Sequence, residues 1–132
     1  MTKGLDPTVP MKDSGVEWIG EIPTHWHLTL IKRFCKLQTG TTPSTAEREW
    51  FDGDLPWFTS GDFSETFLLI DSSRTLSQKA KTDNVATIVA DETVMVVGIG
   101  ATAGKVGFTT TESSFNQQIT ALCADKDYIY SK

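Results

Sequence analysis

The stretch TVMVVGIGATAGKVGFTTT (Thr93–Thr111) decides the fold class of this chain. Its first part, Thr93–Ile99, is apolar and mostly β-branched, which predicts a buried strand. Glycines then punctuate a turn over Gly100–Gly107, and Lys105–Thr111 predicts the returning strand. The stretch therefore indicates two neighbouring strands joined by a tight turn.

Further strands are predicted on both sides of this pair, at Leu55–Phe63 and Ile119–Ala124. A loose alternation over Trp26–Phe34 predicts another short strand that passes into a helical turn near Ile31–Leu37. Because the predicted helices are short and the strands numerous, we expect an α+β fold that is mostly β.

Helical signals are brief, and turn signals separate them. Ala46–Phe51 predicts one helical turn that Asp52–Asp54 stops, and Ser77 is a predicted N-cap. The last residues, Asp125–Lys132, predict the start of another helix. Residues 1–24 are rich in proline and glycine, so we expect an extended lead-in there and a domain over residues 25–132.

Composition limits the class of protein. The chain has 132 residues, 39% of them hydrophobic, and a net charge of −5, as in one globular domain. We find no apolar run near the ~18 residues of a membrane span and no signal peptide, so we expect a cytoplasmic protein without a membrane partner. The two cysteines, Cys35 and Cys123, are expected to be buried free thiols, with a disulfide or a reactive thiol as the alternatives.

Several motifs suggest enzymes or metal sites, but their context does not support them. Gly98–Ala103 matches a relaxed dinucleotide fingerprint, yet a strand-forming segment follows where a helix is needed. Asp54–Trp57 is similar to the Asp-Pro-Pro-aromatic tetrad of amino-methyltransferases, but its second residue is leucine instead of proline. His25 and His27 lack a third ligand nearby, so we expect a surface pair. We therefore expect no catalytic site, metal or cofactor.

Basic and short polar side chains point to DNA instead. Between residues 74 and 105 the basic side chains outnumber the acidic ones, whereas residues 1–62 hold six basic and nine acidic residues. Serine, threonine, asparagine and glutamine crowd the loops, and these side chains bind phosphates or base edges. On these residues alone, solvated polar loops remain the alternative.

Four pieces of the sequence, in order, resemble the target-recognition domain of type I restriction-modification specificity subunits. They are MKDSGVEWIGEIPTHW (Met11–Trp26), TGTTPST with EWFDGDLPWFTSGDF (Thr39–Phe63), GIGATAGKVG (Gly98–Gly107) and FNQQITAL (Phe115–Leu122). In addition, Thr2–Pro10 resembles the segment that leads into the second recognition domain. The resemblance covers about residues 3–124, and it implies the second half of a specificity subunit without the family's long helices.

The resemblance implies that the chain reads one half of a bipartite site in double-stranded DNA. It also implies partners, the methyltransferase and restriction subunits, which would carry out methyl transfer and cleavage. A protein-interaction or decoy module that engages methyltransferase subunits without reading DNA is the alternative, and the acidic net charge suits it.

Base-reading residues are expected outside the shared motifs, because family members read different half-sites. We call the two stretches without a family pattern, Ser64–Asp83 and Thr109–Ser114, the unpatterned segments. Arg74 is the candidate for a guanine contact and Gln78 for an adenine contact. Further candidates for phosphate or positioning contacts are Lys79, Lys81, Lys105, Thr42, Ser44, Thr59 and Ser60.

Overall fold

A computed structural model describes residues 6–124 of the chain. These residues belong to two compact units, Met1–Arg33 and Phe34–Lys132. The helix predicted over Asp125–Lys132 lies outside the described residues. The predicted division into residues 1–24 and 25–132 stays a prediction.

The first unit contains a small antiparallel hairpin. Its strands are β1 (Met11–Asp13) and β2 (Glu21–Pro23), with Lys12 opposite Ile22. Gly20 has a φ of 72°, a conformation that glycine adopts without strain, where the connection enters β2. The described part of the lead-in is therefore non-helical, as predicted.

The strand predicted from Trp26 onward is wrong. Residues 26–30 form no strand, and a 3₁₀ turn occupies Ile31–Arg33. Trp26, Leu28 and Leu30 are 57%, 47% and 55% exposed, so the alternation has no buried face to fix a strand. The helical turn predicted near Ile31–Leu37 is confirmed only at Ile31–Arg33, since a strand begins at Cys35.

The second unit is built mainly from short strands, and its described part has one α-helix. In chain order these elements are β3 (Cys35–Thr39), β4 (Phe51–Phe58), β5 (Leu68–Leu69), β6 (Arg74–Leu76), α1 (Gln78–Thr82), β7 (Ile88–Val89), β8 (Val94–Val97), β9 (Val106–Thr109), β10 (Ser113–Phe115) and β11 (Ile119–Ala124). Two 3₁₀ turns, Arg48–Trp50 and Ser60–Asp62, flank β4. The predicted α+β, mostly β class is confirmed.

One sheet has five strands in the order β3-β11-β8-β9-β5. The strand pair predicted from Thr93–Thr111 is present as β8 and β9, which are antiparallel. Strand β5 adds to β9 in parallel. Gly107 lies under Leu69, whose side chain would be only 2.6 Å from a Cβ at this position, so the motif glycine is needed for packing.

The other sheet has four strands in the order β6-β4-β10-β7. Strand β10 runs parallel to β4, with Phe115 opposite Phe58, and antiparallel to β7. The β4–β6 pair shifts register between Phe51 and Leu55. Asp52–Asp54 therefore forms an irregularity inside β4, which begins directly after the predicted helical turn, observed here as the 3₁₀ turn Arg48–Trp50.

Two hydrophobic cores lie on opposite faces of β4. Phe58 belongs to the larger core, where it packs with residues of both sheets such as Met95, Phe115 and Ile119. Its neighbour Trp57 belongs to the smaller core with Leu76 and Ala80. Because side chains alternate along a strand, β4 carries both cores and fixes α1 beside the four-stranded sheet.

Candidate nucleic-acid interface

Arg74, the candidate base reader, is exposed on β6 at the edge of the four-stranded sheet. Its guanidinium carbon lies 4.3 Å from the centroid of the Phe51 ring and 5.7 Å from that of the Trp57 ring. Cation–π attraction therefore fixes the side chain against β4. Because stacking uses the face of the guanidinium, the N–H donors at its rim remain available to an acceptor.

Helix α1 carries three of the other candidates, and its start is capped as predicted. The Ser77 hydroxyl accepts from the Ala80 amide at 3.3 Å. The same hydroxyl donates to the Glu49 carbonyl at 2.6 Å, which ties the helix to the segment before β4. Gln78, Lys79 and Lys81 are therefore presented from a short, anchored helix.

Lys79 is held by two carboxylates. Its Nζ lies 2.5 Å from Asp83 Oδ2 and 3.4 Å from Glu49 Oε1. The hydrogen bond that the Lys79 ammonium donates to the Asp83 carboxylate is the main cause of both pKa shifts: it raises the pKa of Lys79 and lowers the pKa of Asp83. A contact between Lys79 and a phosphate therefore requires this arrangement to open.

Lys81 is paired with Glu112, since its Nζ lies 2.5 Å from Glu112 Oε1. The pair joins the two unpatterned segments, because Lys81 comes from one and Glu112 from the other. They meet at a recess of about 330 Å³ lined by Asp54, Leu55, Pro56, Gln78, Lys81, Thr111 and Glu112. We call this the α1 recess.

The carboxylates that pair with Lys79 and Lys81 include two from outside residues 74–105. Glu49 and Glu112 each contact a lysine that the sequence places in a basic stretch. In the folded chain, these two carboxylates therefore reduce the excess of positive charge around Lys79 and Lys81. Partners so distant along the chain give no signal in the local charge pattern.

Lys105 lies in the glycine turn between β8 and β9, and its Nζ donates to the Phe63 carbonyl at 3.3 Å. An ammonium has three donors, so this bond leaves others for a phosphate. The bond also connects the turn to the segment after β4. Lys105 therefore both supports the scaffold and remains a candidate phosphate contact.

Thr59 and Ser60 lie where β4 ends, and both hydroxyls bind within the protein. The Asp62 carboxylate accepts from the Thr59 amide at 2.7 Å and from its hydroxyl at 3.0 Å. Its other oxygen accepts from the Ser73 amide at 2.8 Å, next to Arg74. The Ser60 hydroxyl donates to Gln118 Oε1 at 3.1 Å.

Thr42 and Ser44 are exposed in the loop after β3. The Thr42 hydroxyl donates to Gln117 Oε1, and the Ser44 hydroxyl accepts from the Ala46 amide at 3.3 Å. Two of the four shared pieces, Thr39–Phe63 and Phe115–Leu122, thus meet through Gln117 and Gln118. From the sequence, these glutamines of the Asn-Gln-Gln at residues 116–118 counted only among the polar loop side chains suited to phosphates or base edges, and Asp62 was not a candidate.

The structure therefore arranges the candidates in two sets. Gln78 and Lys81 line the α1 recess, and Lys79 lies on the same helix. Thr59 is linked through Asp62 to the segment that carries Arg74, whereas the Ser60 hydroxyl binds Gln118. Thr42 and Lys105 attach to neighbouring parts of the scaffold rather than to the recess.

The thiols of Cys35 and Cys123 are free and partly buried, rather than fully buried as predicted. In the pair of β3 with β11, Cys35 is opposite Ala124 and Cys123 is opposite Lys36. Successive residues of a strand face opposite sides, so the two thiols point away from each other. Burial is the main cause that raises the pKa of each thiol.

Metal and membrane sites were sought throughout residues 6–124. Within that range, no three side chains of histidine, cysteine, aspartate or glutamate lie together in a way that could hold a metal ion. The helices of this range are also too short or too polar to cross a bilayer.

The fold and the arrangement of its motifs match one family. The sequence model of the type I restriction modification DNA specificity domain matches residues 23–130. The chain therefore belongs to the family of type I restriction-modification specificity domains, and the resemblance seen in the sequence is confirmed. That it is the second domain of a subunit stays a prediction.

Two curated relatives are specificity subunits. The chain is 29% identical over 117 residues to the type I restriction enzyme MjaIX specificity subunit of Methanocaldococcus jannaschii, covering 85% of this chain and 27% of that protein. It is 30% identical over 108 residues to the EcoprrI specificity subunit of Escherichia coli, covering 81% and 26%. The chain thus spans about a quarter of the length of these relatives.

Solved structures show the same fold. The HsdS subunit from Thermoanaerobacter tengcongensis aligns with a TM-score of 0.61 at 14% identity, over 86% of this chain and 26% of that one. A chain of a type I R-M system, solved to explain complex assembly and conformational transition, aligns with a TM-score of 0.63 at 15% identity. The alignment covers 89% of this chain and 27% of that one.

Proposed function

We propose that the chain reads one half of a bipartite double-stranded DNA site, as part of the specificity component of a type I restriction-modification complex. The observation that carries the proposal is the meeting of both unpatterned segments at the α1 recess. The segments without a family pattern are the ones expected to read a half-site, and parts of both line one recess here. Arg74 stands on the strand that leads into α1.

Recognition is divided between bases and backbone in this proposal. The rim donors of Arg74 contact a guanine and the Gln78 amide contacts an adenine, since these pairings are bidentate in the major groove. Lys105 supplies a phosphate contact, with Thr42, Ser44, Thr59 and Ser60 as positioning groups. Lys79 and Lys81 contact phosphates only where their ion pairs open.

The proposal assigns no catalysis to this chain. Methyl transfer and DNA cleavage belong to methyltransferase and restriction subunits, which we propose as its protein partners in the cytoplasm. The relatives that support this are specificity subunits. Addition of a methyl donor to the chain alone should therefore produce no methylated DNA.

A selection from a randomised duplex pool tests the proposal. It is run at low salt and near physiological salt, with the chain alone and with the chain mixed with type I methyltransferase subunits. We expect a short asymmetric motif to be enriched and to survive the higher salt in at least one arm. Binding without any enrichment in both arms, lost as salt rises, is nonspecific phosphate attraction and contradicts the proposal.

The alternative is a protein-interaction module that does not read DNA. The net charge of −5 and the ion pairs of Lys79 and Lys81 favour it, because both weaken attraction to phosphates. The two functions separate in the same experiment. A stable complex with methyltransferase subunits, together with no enriched motif, would favour the alternative.

A further inference from the structure

The ion pair between Lys81 and Glu112 lies where DNA contact is proposed. Both side chains are partly exposed, at 39% for Lys81 and 49% for Glu112, so the pair faces solvent rather than the core. It connects α1 with the segment just before β10. Solvent-facing pairs of this kind contribute little to stability, so they open readily.

The charges around the pair oppose a phosphate. The α1 recess also contains Asp54, so its lining has two carboxylates and one ammonium. A phosphate that approaches Lys81 must replace Glu112 and remain close to both carboxylates. On the same helix, Lys79 is already bound to Asp83 and Glu49. Helix α1 therefore offers less attraction to backbone phosphates than its two lysines suggest.

A base edge meets different chemistry at the same place. Gln78 also lines the recess, and it is the residue we propose to contact a base. A base contact by Gln78 does not require Lys81 to bind a phosphate. The ion pair of Lys81 with Glu112 can therefore stay closed in the specific complex. On DNA of the wrong sequence, backbone contacts supply nearly all the affinity, and the closed pair removes one of them.

We propose that Glu112 is a specificity-determining residue. Its carboxylate pairs with Lys81 in place of a phosphate and so lowers the affinity for nonspecific DNA. The affinity for the selected half-site is lowered less. Specificity is the difference between two affinities, and weakening the wrong complex increases it. This inference rests on the proposed DNA-reading function.

The test is a double-mutant cycle with Glu112→Gln and Lys81→Met. Dissociation constants are measured across a salt series, on a duplex with the selected half-site and on a scrambled duplex of equal length. For Glu112→Gln we expect about two- to fivefold tighter binding to the scrambled duplex. The salt slope should rise by up to about 0.9, and affinity for the selected half-site should change less. In the Lys81→Met background this gain should disappear.

Glu47→Gln is the matched control, because it removes the same charge from an exposed glutamate outside both the recess and the unpatterned segments. An equal gain with this variant, or a gain that persists with Lys81→Met, contradicts the inference. Unchanged binding of the scrambled duplex by Glu112→Gln also contradicts it. A change in preference at one base position would instead make Glu112 a base contact.

Failure of this inference is distinguishable from failure of the proposed function. If the chain does not read DNA, the wild-type protein shows no preference between the selected and scrambled duplexes. If only the inference fails, that preference is present and Glu112→Gln leaves it unaltered. Both side chains are solvent-facing, so the variants should keep the fold, which circular dichroism checks directly.

Discussion

The guanidinium of Arg74 stacks on the ring of Phe51, with 4.3 Å between its central carbon and the ring centroid. Phe51 lies in the shared motif of β4, whereas Arg74 lies in an unpatterned segment. Phe51, from a motif that resembles the family's, thus orients Arg74, which we propose as a base-reading residue. Phe51 in turn packs edge-to-face on Trp57, with 6.3 Å between the ring centroids.

Arg74→Ala should relax the preference at one base position and cost about 1–3 kcal/mol there. The reason is loss of the bidentate contact that the stacked guanidinium provides. Arg74→Lys keeps the charge but not the paired donors, so it should lose the same preference while retaining more overall affinity. Selection from randomised duplexes with each variant measures both. A uniform loss across all sequences with Arg74→Ala would exclude a base-reading role.

Gly40→Ala should destabilise the second unit by about 3 kcal/mol, the upper end of the range for overpacking. A Cβ at Gly40 would overlap the carbonyl oxygens of Phe115 and Asn116 and lie 2.5 Å from the Phe115 ring. Gly61→Ala is the control, because its Cβ would meet only the Thr59 hydroxyl at 3.8 Å. That variant should stay within about 0.5 kcal/mol of wild type in urea unfolding. Equal stability of the two variants would contradict the crowding at Gly40.

Asp62→Ala should cost about 1–2 kcal/mol, since it removes a capping carboxylate. It also releases the Ser73 amide beside Arg74, so sequence preference should weaken with little change in nonspecific affinity. Amide hydrogen exchange at Thr59 and Ser73 gives the direct measurement, and both should exchange faster. Asp71→Ala, at an exposed carboxylate nearby in sequence, is the control. Unaltered exchange at Ser73 would show that Asp62 does not hold this segment.

Asp83→Asn should lower the pKa of Lys79 toward its ordinary value, because the Asp83 hydrogen bond is the main cause of its rise. Glu49→Gln should lower it less. Titration of the Lys79 side chain by NMR measures both shifts. If Glu49→Gln has the larger effect, the assignment of the main partner is wrong.

The same pair sets a pH window for its contribution to stability. The Asp83 pKa is lowered, so its contribution is present above about 3.9, the ordinary aspartate value, and is lost as pH falls through the lowered pKa. The Lys79 pKa is raised, so its contribution is present below about 10.4 and is lost as pH rises through the raised pKa. Thermal unfolding of wild type and Asp83→Asn should therefore differ most between these limits.

Local patterns predicted the elements that depend on local chemistry. Ser77 is the N-cap of α1, and the β-branched run at Val94–Val97 is a strand, because capping and burial of β-branched side chains act over a few residues. The strand predicted at Trp26 failed because alternation alone does not supply a partner strand. Asp52–Asp54 was predicted only as the stop of a helical turn, and its place inside β4 depends on pairing with β6, which accommodates these residues as a β-bulge.

The candidate site was only partly accessible to sequence reasoning. The unpatterned segments pointed to Gln78 and Lys81, and the structure brings both to one recess with Glu112. The pairing of Lys81 with Glu112 depends on tertiary contact between distant segments, which one sequence does not reveal. The contacts of Asp62 and Gln118 could not be predicted for the same reason, because their partners lie on other loops.

The parallel pairing of β4 with β10 places Trp57 opposite Ser114 and Phe58 opposite Phe115. A large part of the chain must therefore close into a loop before the two phenylalanines can meet in the larger core. Such high contact order makes folding slow relative to helical domains of similar size. On the ribosome, β4 can pair with β6 as soon as that strand emerges, but Phe58 stays open to chaperones until β10 has been synthesised.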